Sequence, residues 1–314
     1  MNKKLTLTGA NVLFLIFCVV FIAYQLILGV LLGEELNSHI YTIVLINEFV
    51  MILAPVLIYC AAKRINIKEA FRFNKPGLAP MLLIAAISVP AYFVAAMLNN
   101  ILVFFLQFIG DLPAQSIPVP GSVPELIAGI LIVAVVPGVC EEIMHRGFLL
   151  RAYERRGSYK AVVITAIYFG IFHFDITNFF GPVFLGLIIG YYVVRTNSIF
   201  AGMLAHFLNN TIAELLQYFL PDKSRPEKLT VTWQELQGLI LLGIVCFLIM
   251  MALLALFKKA TDGRAVIIPP LTNARNDLKS ILSHWPVILI LLIYFFMMLF
   301  YILTIAMLKF IGGM

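Results

Sequence analysis

Charge is what this sequence has least of. Only 12% of its 314 residues are Asp, Glu, Lys or Arg, against about 25% in soluble domains. No long polar stretch remains that could fold as a separate aqueous domain. A soluble globular protein is thereby excluded. Cysteine is scarce as well. Cys18, Cys60, Cys140 and Cys246 all lie inside apolar runs with no C-x-x-C spacing, so each reads as a small buried thiol, and neither a disulfide framework nor a thiolate metal site is expected. Internal repeats and low-complexity segments are missing, and so is the H-E-x-x-H signature of helical zinc proteases.

What fills the chain instead is hydrophobic residue, 62% of the total, at a mean hydropathy of +1.01. A bilayer-spanning helix needs roughly 20 mostly apolar residues, and such runs recur throughout. Nine candidate spans are expected at about 11–33, 40–62, 79–106, 123–148, 161–178, 181–195, 198–219, 235–257 and 286–308. The sixth is short enough to be broken or tilted. An open strand in lipid would leave its backbone groups unpaired, so these runs read as helices and the fold class is all-α, a polytopic transmembrane bundle of eight to nine spans. The first apolar run, about Asn11 to Gly33, follows Lys3 and Lys4 but is too long for a signal peptide and lacks a clear cleavage site; it reads as a retained helix.

Basic residues set the orientation. One side carries Lys3 and Lys4, the cluster from Lys63 to Lys75, Arg151, Arg155, Arg156 and Lys160, Arg195, and the cluster from Lys258 to Lys279. The other carries only Lys223, Arg225, Lys228 and Lys309. The N-terminus is therefore expected in the cytoplasm. The net charge of +6 is explained by topology and anionic headgroups, and no nucleic acid is implied.

Ionisable residues inside spans are costly and mark function by default. Span four holds Glu141, Glu142, His145 and Arg146; span five holds His173; span seven holds His206, Asn209, Asn210 and Glu214. Counted from the flanking Arg151, Lys160 and Arg195, the residues Glu141, His173 and His206 all come to roughly 15 to 20 Å of helix depth. Spans four, five and seven do not all run in one direction, yet they deliver polar groups to one level, which points to a shared site. Glu142 and Arg146 stand i,i+4 in the favourable order for an ion pair, leaving Glu141 free for chemistry. His206 and Asn210, also i,i+4, share a face. A buried carboxylate beside imidazoles can deprotonate a water, and an imidazole with an amide can stabilise an oxyanion. Glu48, Asn47, Asn99 and Asn100 read as packing or cavity-lining groups, and Asp175 as facing elsewhere on a regular helix.

At these residues the sequence resembles the CPBP family of intramembrane proteases, which includes the Rce1-type CAAX prenyl endopeptidases and bacteriocin-processing, Abi-like proteins. The family pattern EExxxR, FxxxH and HxxxN (or HxxxD) appears in order as Glu141-Glu142-Ile-Met-His-Arg146, Phe169-Gly-Ile-Phe-His173 and His206-Phe-Leu-Asn-Asn210. The resemblance implies an endopeptidase in which Glu141 and His173 activate water, His206 and Asn210 stabilise the oxyanion, and Glu142 and Arg146 support them. Two routes stay open. A glutamate mechanism needs no cofactor, whereas Glu141, His173 and His206 could also supply three ligands to zinc; the missing H-E-x-x-H favours the first. The expected partners are a peptide or protein substrate at the membrane and the lipid bilayer itself, and the expected address is a bacterial plasma membrane. The chain divides into N-terminal helices (1–122), a catalytic core (123–219) and C-terminal helices (220–314). Competing functions are a non-catalytic membrane partner, such as a bacteriocin immunity protein, and a transporter with a buried proton site, the latter disfavoured by the lack of an inverted repeat. Nothing in the sequence specifies the substrate or the oligomeric state.

Overall fold

The computed structural model describes residues 5–113, 118–220 and 228–312. Lys3, Lys4, Lys223 and Arg225, used above for orientation, lie outside them. Ten main helices follow one another: α1 (Leu7–Leu32), α2 (Ile40–Ala62), α3 (Leu78–Leu106), α4 (Val123–Arg156), α5 (Ser158–Phe172), α6 (Phe180–Thr196), α7 (Ile199–Phe219), α8 (Trp233–Ala260), α9 (Ala274–Leu282) and α10 (Trp285–Gly312). Seven of these are long and apolar enough to cross a membrane, and α5 and α6 are shorter apolar helices. The protein is an all-α membrane bundle. The described β structure is one antiparallel contact of two residues each, Leu112 opposite Leu229 and Pro113 opposite Lys228.

Burial separates centre from rim. Only 11% of the apolar window of α1 and 17% of those of α8 and α10 are buried within the protein, against 39% for α3 and 33% for α4 and α7. The outward faces of the rim helices carry large apolar side chains such as Leu26, Leu248 and Phe300, the pattern of a lipid-facing surface. Helices α4 to α7 form the middle; α8 packs along α3, and α10 along α1. All four cysteines are free and buried.

The structure departs from the sequence reading in three places. Helix α5 stops at Phe172 rather than at 178, because Phe174 takes a positive φ of 48° and Asp175 Oδ1 accepts from the Thr177 amide and hydroxyl, closing a turn. Asp175 is therefore in a loop, not on a helix. Helix α4 runs on to Arg156, eight residues past the expected end. Finally, α9 is a polar, amphipathic helix ahead of the last span; Arg156 and Lys160 both pair with its buried Asp277.

Candidate active site

Two prolines shape the backbone around the polar residues. Pro55 in α2 and Pro137 in α4 have no N–H, so the carbonyls of Met51 and Val133 lose their i+4 donors. In each case the turns just before the proline widen to π geometry, Asn47–Leu53 and Ile130–Val135. Asn210 Nδ2 on α7 donates to the Val133 carbonyl at 2.9 Å. A side-chain amide thus satisfies a carbonyl that proline released.

Glu141, Glu142, Arg146 and His206 form one contact group. Arg146 Nη1 donates to Glu142 Oε1 at 2.6 Å, and both residues are at most 1% exposed. Nη2 of Arg146 reaches the Gly186 carbonyl at 3.4 Å. His206 Nδ1 lies 3.0 Å from the same Glu142 Oε1. A carboxylate paired with arginine only accepts, so Nδ1 carries the proton, and Nε2 of the neutral ring is left as an acceptor. That Nε2 stands 3.9 Å from Glu141 Oε2, an atom without a hydrogen-bond partner. Gly202 makes room for Glu142, since a Cβ there would sit 2.8 Å from its Oε2.

His173 arrives from the other side. It caps the C-terminus of α5, and its Nδ1 donates to the Phe169 carbonyl at 2.7 Å, which again turns Nε2 outward as an acceptor. The Phe169 ring joins the parts: it meets His173 and His206 edge-on, with centroids 5.0 and 5.7 Å away, and Arg146 lies over it at 4.5 Å. The loop after His173 is pinned by Asn99 of α3, which donates to Asn178 Oδ1 at 2.6 Å and accepts from the Gly181 amide at 2.7 Å. A helix of 15 residues covers only about 22 Å. This irregular loop is packed against protein, the condition for non-helical backbone at membrane depth.

Of the residues expected at the site, Glu141, Glu142, Arg146 and His206 are in mutual contact, and His173 joins them through Phe169. Asn210 is placed differently. One N–H goes to Val133 and its Oδ1 accepts from Asn209 at 3.1 Å, leaving one N–H for other use. Among the described residues no group of three His, Cys, Asp or Glu side chains is placed to hold a metal ion. Glu48, read from the sequence as a packing or cavity-lining group, also lies at this site. It is 5% exposed, and its carboxyl is a hydrogen-bonding neighbour of the Glu141 carboxyl. Its one sequence signal was an acid within an apolar run.

Neither the curated proteins nor the solved structures contain a match to this chain. One family model does match, and it spans the three motif-bearing helices that surround Phe169: residues 123–212 are similar to the type II CAAX prenyl endopeptidase Rce1-like family, in keeping with the CPBP intramembrane-protease pattern.

Proposed function

We propose that this protein is an intramembrane endopeptidase that hydrolyses a peptide bond of a membrane-associated peptide or protein, using a water activated by Glu141 and His173. The observation that carries the reading is the Glu141 carboxyl oxygen, buried and without a hydrogen-bond partner, facing an acceptor imidazole nitrogen inside the family-matched segment. A buried, unpaired polar atom is unfavourable for folding, and a hydrolytic water is a natural partner for it.

The steps follow from the donors and acceptors. Glu141 takes a proton from the water while His173 Nε2 orients it, and the hydroxide oxygen bonds to the carbonyl carbon. Glu141 passes that proton to Nε2 of His206, 3.9 Å away, so that the charge on the ring faces the Glu142 carboxylate and the oxyanion is met by this new N–H and by the free N–H of Asn210. The proton returns through Glu141 to the amide nitrogen, the C–N bond breaks as the oxyanion collapses, and the new carboxylic acid passes its own proton by way of His173 Nε2 to the amine, so that a carboxylate and an ammonium leave. Arg146 neutralises Glu142 and so holds His206 in register. In this reading 123–219 is the catalytic core, with 1–122 and 220–314 as flanking helices in a bacterial plasma membrane; the distribution of basic residues supports an N-terminus in the cytoplasm.

Comparing membrane peptides from cells carrying the native chain and Glu141→Gln tests this. The native cells should contain cleavage products that are missing in the variant, with the intact precursor accumulating there. Identical peptide profiles would remove the hydrolase assignment.

A further inference from the structure

We infer that Glu48 of α2 is a positioning residue for Glu141, which gives an N-terminal helix outside the family-matched segment a part in the chemistry. The inference rests on the peptidase reading above. Acidic side chains are almost never fully buried without a cation, yet Glu48 is 5% exposed and the ionisable group against it is another acid, Glu141. Its Oε2 has no hydrogen-bond partner among the described residues. As a packing group in a span, methionine would serve better. The backbone is arranged to deliver it: Pro55 widens the turns of Asn47–Leu53 to π geometry, and this stretch packs on Val136–Glu142 of α4, which carries Glu141.

Two carboxyls in hydrogen-bonding reach are joined when one carries a proton, and with that proton on Glu48 the Glu141 carboxylate stays an acceptor for the water. That bond fixes the Glu141 carboxyl from the side of α2, so that Oε2 remains directed at His206 on α7. Without it, Glu141 would be anchored only through its own helix. A carboxamide at position 48 can donate or accept and so keeps the bond, whereas a thioether cannot.

The test compares Glu48→Gln and Glu48→Met with the native protein and Glu141→Gln in proteoliposomes. Misplacing a catalytic group by about 1 Å costs about a hundredfold, so Glu48→Met should lower kcat about a hundredfold with KM unchanged, and Glu48→Gln should restore most of it. Both Met and Gln variants should unfold at or above the native temperature. Infrared difference spectra supply a readout that needs no substrate: one protonated-carboxyl band should shift in both Glu48→Gln and Glu141→Gln. Equal activity of Glu48→Met and native protein, equal losses for Gln and Met, or carboxyl bands that respond to only one of the two sites would each overturn the inference. If Glu141→Gln itself stays active, the peptidase reading fails instead, and the infrared coupling alone decides whether the two carboxyls are joined.

Discussion

Glu154 and Glu141 stand thirteen residues apart on α4 and are both buried, at 0% and 7% exposure. Glu154 is saturated. Its Oε1 accepts from Arg72 Nη2 at 2.6 Å and from Ser158 Oγ at 3.0 Å, while Oε2 is paired with Arg151. Glu141 has an oxygen with no partner, an acid beside it and an imidazole acceptor opposite. The first centre ties the end of α4 to the segment after α2 and leaves little to react with. The second leaves a carboxyl oxygen without a partner 3.9 Å from an imidazole nitrogen. Burial alone therefore does not distinguish a structural acid from a chemical one; the state of its hydrogen bonds does.

Breaking each centre should give opposite signatures. The largest effect on folding is expected from Glu154→Leu, which strands two arginines; removing one partner of a buried pair costs about 3–5 kcal/mol, and thermal unfolding in detergent should show it as a marked drop in midpoint. At the other centre, Asn210→Leu removes the amide donors and should reduce turnover about a hundredfold, in the range found for deleting one oxyanion donor, as kinetics with a cleaved peptide would measure. Gly202→Ala should have a smaller effect, since its Cβ would press on Glu142 Oε2 from 2.8 Å. Overpacking of that kind costs about 1–3 kcal/mol, and displaced His206 should make the loss larger in activity than in unfolding temperature.

The smallest effect belongs to the membrane surface. Burial opposes charge at Asp277, but the Lys160 ammonium, the Thr272 hydrogen bond and the Arg156 guanidinium outweigh it and hold the carboxyl down from 3.8 to about 2. A depressed carboxyl stabilises the fold above its unfolded value and loses that contribution as pH falls. The hold on α9 should therefore be intact at neutral pH and weaken between about pH 4 and pH 2. Relative to its intrinsic rate, amide exchange in α9 should accelerate over that window, and Asp277→Asn should show the faster exchange at neutral pH and match the native protein below about pH 2.

Much of this contrast was legible in the sequence. The apolar runs gave the bundle because lipid leaves helix as the one open structure that satisfies its own backbone. The i,i+4 order of Glu142 and Arg146 anticipated their pair, since that spacing is local. What escaped was non-local or conformational. No propensity marks Phe174 for a positive φ, although the Asp175-Ile176-Thr177-Asn178 run carried a turn signal that the surrounding apolar pattern masked. Glu48 could not be placed because a sequence does not say which span packs against which. The second partner of Glu142, His206 Nδ1, and the use of Asn210 on the Val133 carbonyl depended on the rotation of α7 against α4, which no motif encodes.

The most direct measurement is peptide cleavage by the purified protein in liposomes, native against Glu141→Gln, with unfolding temperature recorded for both. A general base contributes about a hundredfold to ten-thousandfold. Loss of cleavage on that scale at an unchanged unfolding temperature is the result the account predicts, because Gln keeps the shape and breaks no ion pair to Arg146. Cleavage by Glu141→Gln at the native rate would contradict it.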